Sequence, residues 1–137
     1  MTMTISRQLL PIDQRSTHTA NLFGLQFPME LEPYVFETAS DLSPDYRGGY
    51  WEFYDLSNGG FYMAPESETP FRLVCPNGYE GLLSGDALGI TACLYAYSRL
   101  SFVANKQIAT TYARQYHRLR EYMMDHGEVA EILRATD

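Results

Sequence analysis

Residues 50–65 read YWEFYDLSNGGFYMAP, and this stretch decides the fold. Two aromatic-rich runs, Tyr50 to Leu56 and Phe61 to Pro65, flank Ser57-Asn58-Gly59-Gly60. Aromatic side chains suit a pleated surface, and Asn-Gly supplies the positive φ of a tight reversal. The stretch is therefore a β-hairpin. In its first strand Trp51 and Phe53 share one face, while Tyr50, Glu52, Tyr54 and Leu56 share the other. Neither face is cleanly polar, so one is expected to pack on helices and the other to be covered by a loop or terminal segment or left as an aromatic surface.

Downstream, Phe71 to Cys75 is a third strand, Pro76-Asn77-Gly78 a turn, and Tyr79 to Leu83 a fourth strand. Ser84 is an N-cap with Asp86 in the first helical turn. The helix that follows carries Leu88, Ala92, Leu94, Tyr95, Leu100, Phe102 and Val103, apolar nearly all round, and is read as the central buried helix. Gly89 costs helix propensity and implies close approach to the sheet. A further helix over 107–125 turns Ile108, Tyr112, Tyr116, Leu119 and Met123 inward, and a short last helix spans 128–135.

Upstream, 30–42 has helical spacing, with Leu31, Val35, Phe36, Ala39 and Leu42 on one face. A short helix within 17–27 ends at Gly24, and Phe27-Pro28 reads as an extended link. Residues 1–17 are polar without a period and read as an N-terminal arm. The fold class is α+β, with an antiparallel meander of about four strands packed on several α-helices. No internal repeat or linker divides the chain, so residues 1–137 are read as a single domain.

The chain has 137 residues, 45% of them hydrophobic, enough for one folded domain. The apolar stretch near Ala87 to Ala104 is broken by Thr91, Ser98, Arg99 and Ser101, so no membrane span is expected. The start, MTMTISRQLLPID, lacks the apolar core of a secretory signal, and a cytoplasmic location follows as the expectation. Cys75 and Cys93 are expected reduced and packed. No C-x-x-C, H-E-x-x-H or close histidine pair suggests a metal, and no cofactor motif occurs.

The formal net charge is −7 and unevenly spread. Residues 30–86 hold eleven acids against Arg47 and Arg72, whereas 87–120 hold five bases and no acid. This is the pattern of a soluble domain whose acidic and basic parts attract each other, or of an acidic face for a basic partner. Direct DNA binding is not expected, because phosphate contacts need a dense basic footprint.

Catalytic patterns are sparse. Gly81-Leu82-Leu83-Ser84-Gly85 lacks nucleophile-elbow spacing. Glu52, Asp55 and His117 are the titratable groups an alternative reading would use, as a small hydrolase or nucleic-acid-modifying enzyme. Glu52 and Asp55 alternate to opposite strand faces, and spacing assigns His117 no partner. From the residues alone, a binding protein and not an enzyme is expected.

Three blocks resemble the ArdB/KlcA antirestriction proteins. The first is Gly48-Gly49-Tyr50-Trp51, Phe53-Tyr54, then Leu56-Ser57-Asn58-Gly59-Gly60-Phe61-Tyr62-Met63-Ala64-Pro65. The second is Asn77-Gly78-Tyr79-Glu80-Gly81 followed by Ser84 and Asp86-Ala87. The third is Tyr116-His117-Arg118-Leu119-Arg120-Glu121-Tyr122. The likeness runs from about Glu30 to the C-terminus. It implies an α+β protein of plasmids and other mobile elements that protects incoming DNA from host type I restriction-modification enzymes. It further implies no cofactor, no catalysis and no DNA mimicry, with the restriction complex or an associated host protein as partner. Monomer is the expectation. Trp51, Phe53 and Phe61 are assigned to the core and Gly59 to the turn. Tyr50, Glu52, Asn58, Tyr62 and Glu80 are candidate exposed contacts. Asp137, at a C-terminal run also similar to the family's end, joins them unless the terminus frays.

Overall fold

A computed structural model describes residues 4–137. Among these residues there are five strands and five α-helices. Strand β1 (Arg7–Leu9) is followed by a 3₁₀ turn over Ile12–Gln14 and helix α1 (Arg15–Phe23). A π-type turn over Phe27–Leu31 runs into α2 (Glu32–Leu42). The strands β2 (Trp51–Leu56), β3 (Phe61–Pro65), β4 (Phe71–Val74) and β5 (Glu80–Leu83) come next. Helices α3 (Gly85–Leu100), α4 (Lys106–Met123) and α5 (Val129–Thr136) close the chain.

The hairpin forms as read, with Trp51 opposite Pro65 and Asp55 opposite Phe61. Gly59 takes φ +86°, the conformation its turn requires. The four expected strands are all present, but they divide between two antiparallel sheets, β1-β2-β3 and β4-β5. The fifth strand, β1, comes from the stretch read as an arm. It pairs Arg7 with Leu56 and Leu9 with Tyr54. All three of its residues are exposed, so it has no buried face to leave an alternating pattern.

The free edge of β3 holds the fold together. Leu56 N–H donates to Gly60 C=O at 2.9 Å, which sets the ladder phase and turns the groups of Phe61 and Met63 away from β2. Helix α3 lies along that edge. Tyr97 Oη donates to Phe61 O at 2.7 Å, and Cys93 Sγ to Met63 O at 3.6 Å. One turn earlier is Gly89, where a Cβ would overlap Ala64 and the Met63 carbonyl. A turn before that is Gly85, where it would overlap the Pro65 carbonyl. Four helical residues rise about 6 Å and two strand residues about 6.8 Å, so this period-four stripe keeps step with alternate strand carbonyls. The expectation of close approach at Gly89 is met.

Around this seam Phe23, Phe27, Phe53, Phe61, Tyr97 and Tyr112 form an aromatic core, with Phe53 and Phe61 edge-to-face at 5.6 Å. Trp51 is buried as well, its Nε1 donating to Tyr46 Oη at 2.9 Å. Ser84 caps α3 by accepting from Ala87 N–H at 3.1 Å. Two local expectations change. Phe27-Pro28 is not an extended link but the start of the π-type turn. Pro28 tolerates this position because the opening N–H groups of a helical turn need no internal partner, and the turn buries Phe27 and Leu31. Helix α3 stops at Leu100, which leaves Phe102 84% exposed and not in the core.

Replacing Gly89 with Ala is expected to destabilise the fold. The helix gains about 1 kcal/mol of propensity, but overpacking against Ala64 and Met63 costs about 1–3 kcal/mol and forces α3 off β3. Urea unfolding of Gly89→Ala checks this; unchanged or raised stability would contradict the seam.

Candidate contact site

The second face of the hairpin is covered by a stack. The Arg7 guanidinium lies 4.2 Å over the Tyr54 ring. Tyr54 stacks on Tyr62 at 4.9 Å, and Tyr62 on Tyr122 of α4 at 5.7 Å. At the centre of this face is Asp86. Tyr62 Oη donates to its Oδ1 at 2.7 Å, and Arg7 Nη1 reaches the same oxygen at 2.6 Å. His126 Nε2 is 2.8 Å from Oδ2. The Glu128 N–H donates to His126 Nδ1 at 3.0 Å, which makes Nδ1 the acceptor and leaves Nε2–H to donate to Asp86. Glu128 in turn accepts from Ser84 N–H at 2.9 Å and from Ser84 Oγ at 2.5 Å. Burial pushes the Asp86 carboxyl up, but the hydrogen bonds from His126 and Tyr62, with the Arg7 charge, outweigh it and hold its pKa below the ordinary value. Burial, then the neighbouring Asp86 charge, raises the Tyr62 phenol far above its usual range. This network locks β1, β3, α3 and the α4–α5 turn together. Both nitrogens of His126 are engaged, so it has no free atom to serve as a base.

A second cluster centres on Arg15, the first residue of α1. A cation there opposes the helix dipole, so tertiary contacts must hold it. Its guanidinium lies 4.3 Å over the Phe53 ring, and its Nη2 donates to Tyr50 Oη at 2.8 Å and to Glu52 Oε2 at 3.4 Å. Its Nε is buried without a hydrogen-bond partner. Beside it opens a groove of about 660 Å³, lined chiefly by Ile12, Arg15, Leu25, Phe27, Glu32 and Phe53. This is within the size range of binding pockets. Ile12 and Leu25 stand 70% and 74% exposed on its rim. Burial raises the Glu32 carboxyl pKa, with Arg15 partly offsetting it. Glu32 makes no side-chain hydrogen bond or ion pair among the described residues.

The sequence-derived contacts distribute unevenly. Tyr50 is 45% exposed and Glu52 half-buried, both held by Arg15 at the groove. Tyr62 is buried, not exposed, because it is the middle ring of the stack and its hydroxyl serves Asp86. Asn58 is half-buried and occupied within the fold. Its Oδ1 accepts from Gly60 N–H at 3.0 Å, and its Nδ2 donates to Arg118 O at 2.9 Å, docking the turn on α4. Glu80 is exposed at the start of β5. Asp137 is exposed but tied down: Asn77 Nδ2 donates to its carbonyl at 2.8 Å and to that of Arg134 at 2.8 Å. A frayed terminus is therefore not what the chain adopts. The alternative catalytic trio is not assembled. Glu52 engages Arg15, Asp55 lies 3.3 Å from His18, and exposed His117 packs edge-on to the Tyr116 ring. Arg15 and Glu32 were missed by sequence reasoning. A cation opening a helix was the one available signal for Arg15, and Glu32 gave none.

Fold and surface describe a helix-clad α+β protein with an apolar groove beside Arg15 and a polar network about Asp86. The family model described as "Antirestriction protein" matches residues 44–137. An antirestriction protein KlcA of Escherichia coli is 44% identical over 108 residues, covering 77% of this chain and 74% of its own. A second Escherichia coli KlcA is 36% identical over 135 residues, covering 97% and 95%. A solved structure matches with TM-score 0.91 at 35% identity, covering 100% of this chain and 99% of its own. It comes from work on KlcA and ArdB proteins that describes a novel fold and antirestriction activity against type I DNA restriction systems in vivo but not in vitro. The chain belongs to the antirestriction protein family.

Asp86 stabilises the fold when ionised. Because its folded pKa lies below the unfolded value near ~3.9, that contribution is complete above the unfolded value and is lost as pH falls through the folded one. Asp86→Asn is expected to cost about 1–3 kcal/mol at neutral pH. The gap to the unchanged protein narrows below about pH 4. Urea titrations at both pH values measure it, and an equal gap at both would contradict the network.

Proposed function

We propose that this protein relieves type I restriction by contacting a protein of the restriction complex or an associated host protein, as a monomeric, non-enzymatic, cytoplasmic domain spanning residues 1–137. The observation that carries contact over DNA mimicry is that part of the acidic charge is taken up inside the fold while 87–120 supplies five bases and no acid. A duplex mimic presents free negative charge at phosphate-like density. Here Asp86 serves Arg7, Tyr62 and His126, Glu52 serves Arg15, and Asp55 faces His18. The exposed surface of 87–120 adds bases and no acid. The activity described for the KlcA and ArdB proteins, present in vivo but not in vitro, favours a cellular component beyond the isolated enzyme.

Tyr50 and Glu52, both bonded to Arg15, with Glu80 and Asp137 at the α5 end, are the contact candidates. Asn58 and Tyr62 act through the fold. Among the described residues no helix is long and apolar enough to cross a membrane.

Expression in a host with a type I system is expected to raise plating of unmodified phage toward that of modified phage. The double variant Asp55→Asn, His117→Ala is expected to protect as well as the unchanged chain, since the hydrolase reading needs both groups. No relief by the unchanged chain would remove the proposal; loss of relief in the folded double variant would revive the enzymatic one.

A further inference from the structure

We infer that the groove beside Arg15 receives an amphipathic, basic segment of a partner protein, with its apolar side chains against Ile12, Leu25 and Phe27 and a Lys or Arg on Glu32. This rests on the protein-contact reading above and names the partner's chemistry at one site. Four observations carry it.

The first is size and rim. The cavity of about 660 Å³ continues outward into Ile12 and Leu25, and Met29 on the adjoining turn is 77% exposed. The exposed apolar rim adjoins the cavity, and the apolar face of a helical segment can lie along it.

The second is Glu32. Its carboxylate lines an apolar cavity half-buried and without a hydrogen bond or ion pair among the described residues, and burial raises its pKa. A cation from outside supplies the missing partner.

The third is the local balance of charge. Arg15 is the one cation lining the groove; it pairs with Glu52 and offsets the Glu32 charge only in part. Asp13 beside Ile12 is exposed, and the wider 30–86 region is strongly acidic. An acidic occupant would meet repulsion from these groups.

The fourth is how Arg15 is held. Its contacts to Tyr50, Glu52 and Phe53 fix a helix-opening cation against its own dipole, and its Nε stays without a partner. An unsatisfied buried group calls for an explanation, and a surface kept for use is one. A second copy could offer exposed Phe102, flanked by Arg99 and Lys106, to the same groove. That occupant is separated from a foreign segment by the test.

The probe is an amidated helical peptide of about 14 residues, roughly four turns, with Leu on one face and Lys on the other. A matched Leu/Glu peptide and a Ser/Lys peptide serve as controls. They are titrated into the full chain at about 150 mM salt, where distant charges are screened, and followed by amide NMR shifts. The Leu/Lys peptide is expected to move Ile12, Leu25 and Glu32. Glu32→Gln and Leu25→Ser should each weaken it about five- to tenfold. The controls should not bind there. Shifts centred elsewhere, unchanged affinity in Glu32→Gln, or equal binding of the Leu/Glu peptide would overturn the inference. So would concentration-dependent self-association abolished by Phe102→Ser, which would make a second copy the occupant.

The phage-plating assay separates the two levels. Protection by the unchanged chain that is lost in folded Glu32→Gln and Leu25→Ser supports the groove. Equal protection by all three sinks the groove and leaves the protein-contact reading standing. No protection by any sinks that reading, and the groove as its site falls with it even if the peptide binds.

Discussion

A strand edge without a neighbour must have its carbonyls satisfied or exposed to water, and β3 has been given a helix instead of a strand. Tyr97 and Cys93 reach the carbonyls of Phe61 and Met63, and two glycines, Gly85 and Gly89, let the rest of α3 come close enough for that reach. Everything else is arranged about this contact. The hairpin brings Phe53 and Phe61 to the core side, where Phe23, Phe27 and Tyr112 meet them. Burial of the whole of β3 follows, although by hydrogen-bond order it is an edge.

Polar groups divide into two sets with different tasks. Arg7, Tyr62, Asp86, His126, Glu128 and Ser84 form a connected chain from β1 to the last helices. With its partners supplied internally, such a network ties remote segments to a single arrangement. The Arg15 cluster is incomplete by contrast, with a buried Nε lacking a partner and a neighbouring carboxylate unpaired.

Features set by neighbours in sequence were legible, and features set by distant ones were not. Asn58-Gly59 located the hairpin, Ser84 located the start of α3, and Gly89 announced a close approach, since each acts through its own backbone. Tyr62 was misread because burial of a ring with a polar tip depends on Tyr54 and Tyr122, the latter 60 residues away. Strand β1 was invisible because an exposed edge strand has no hydrophobic period. The division into two sheets could not be read from strand spacing. For the site, Tyr50 and Glu52 were in hand, but not Arg15, which they hold, nor the groove it lines. Its wall comes from α1 and the π-type turn, one of which was expected to be a link.

With β3 closed by a helix, the three-stranded sheet can grow in one direction only. On the outer side of β1 no strand is paired among the described residues, so any added strand must approach there. It would find three residues, one of them Arg7, whose charge is already committed to Asp86 and Tyr54. So short a template supports few ladder bonds, and a charged side chain on it discourages stacking of copies. The same arrangement that gives the fold its seam therefore leaves the three-stranded sheet a single short edge open to an added strand.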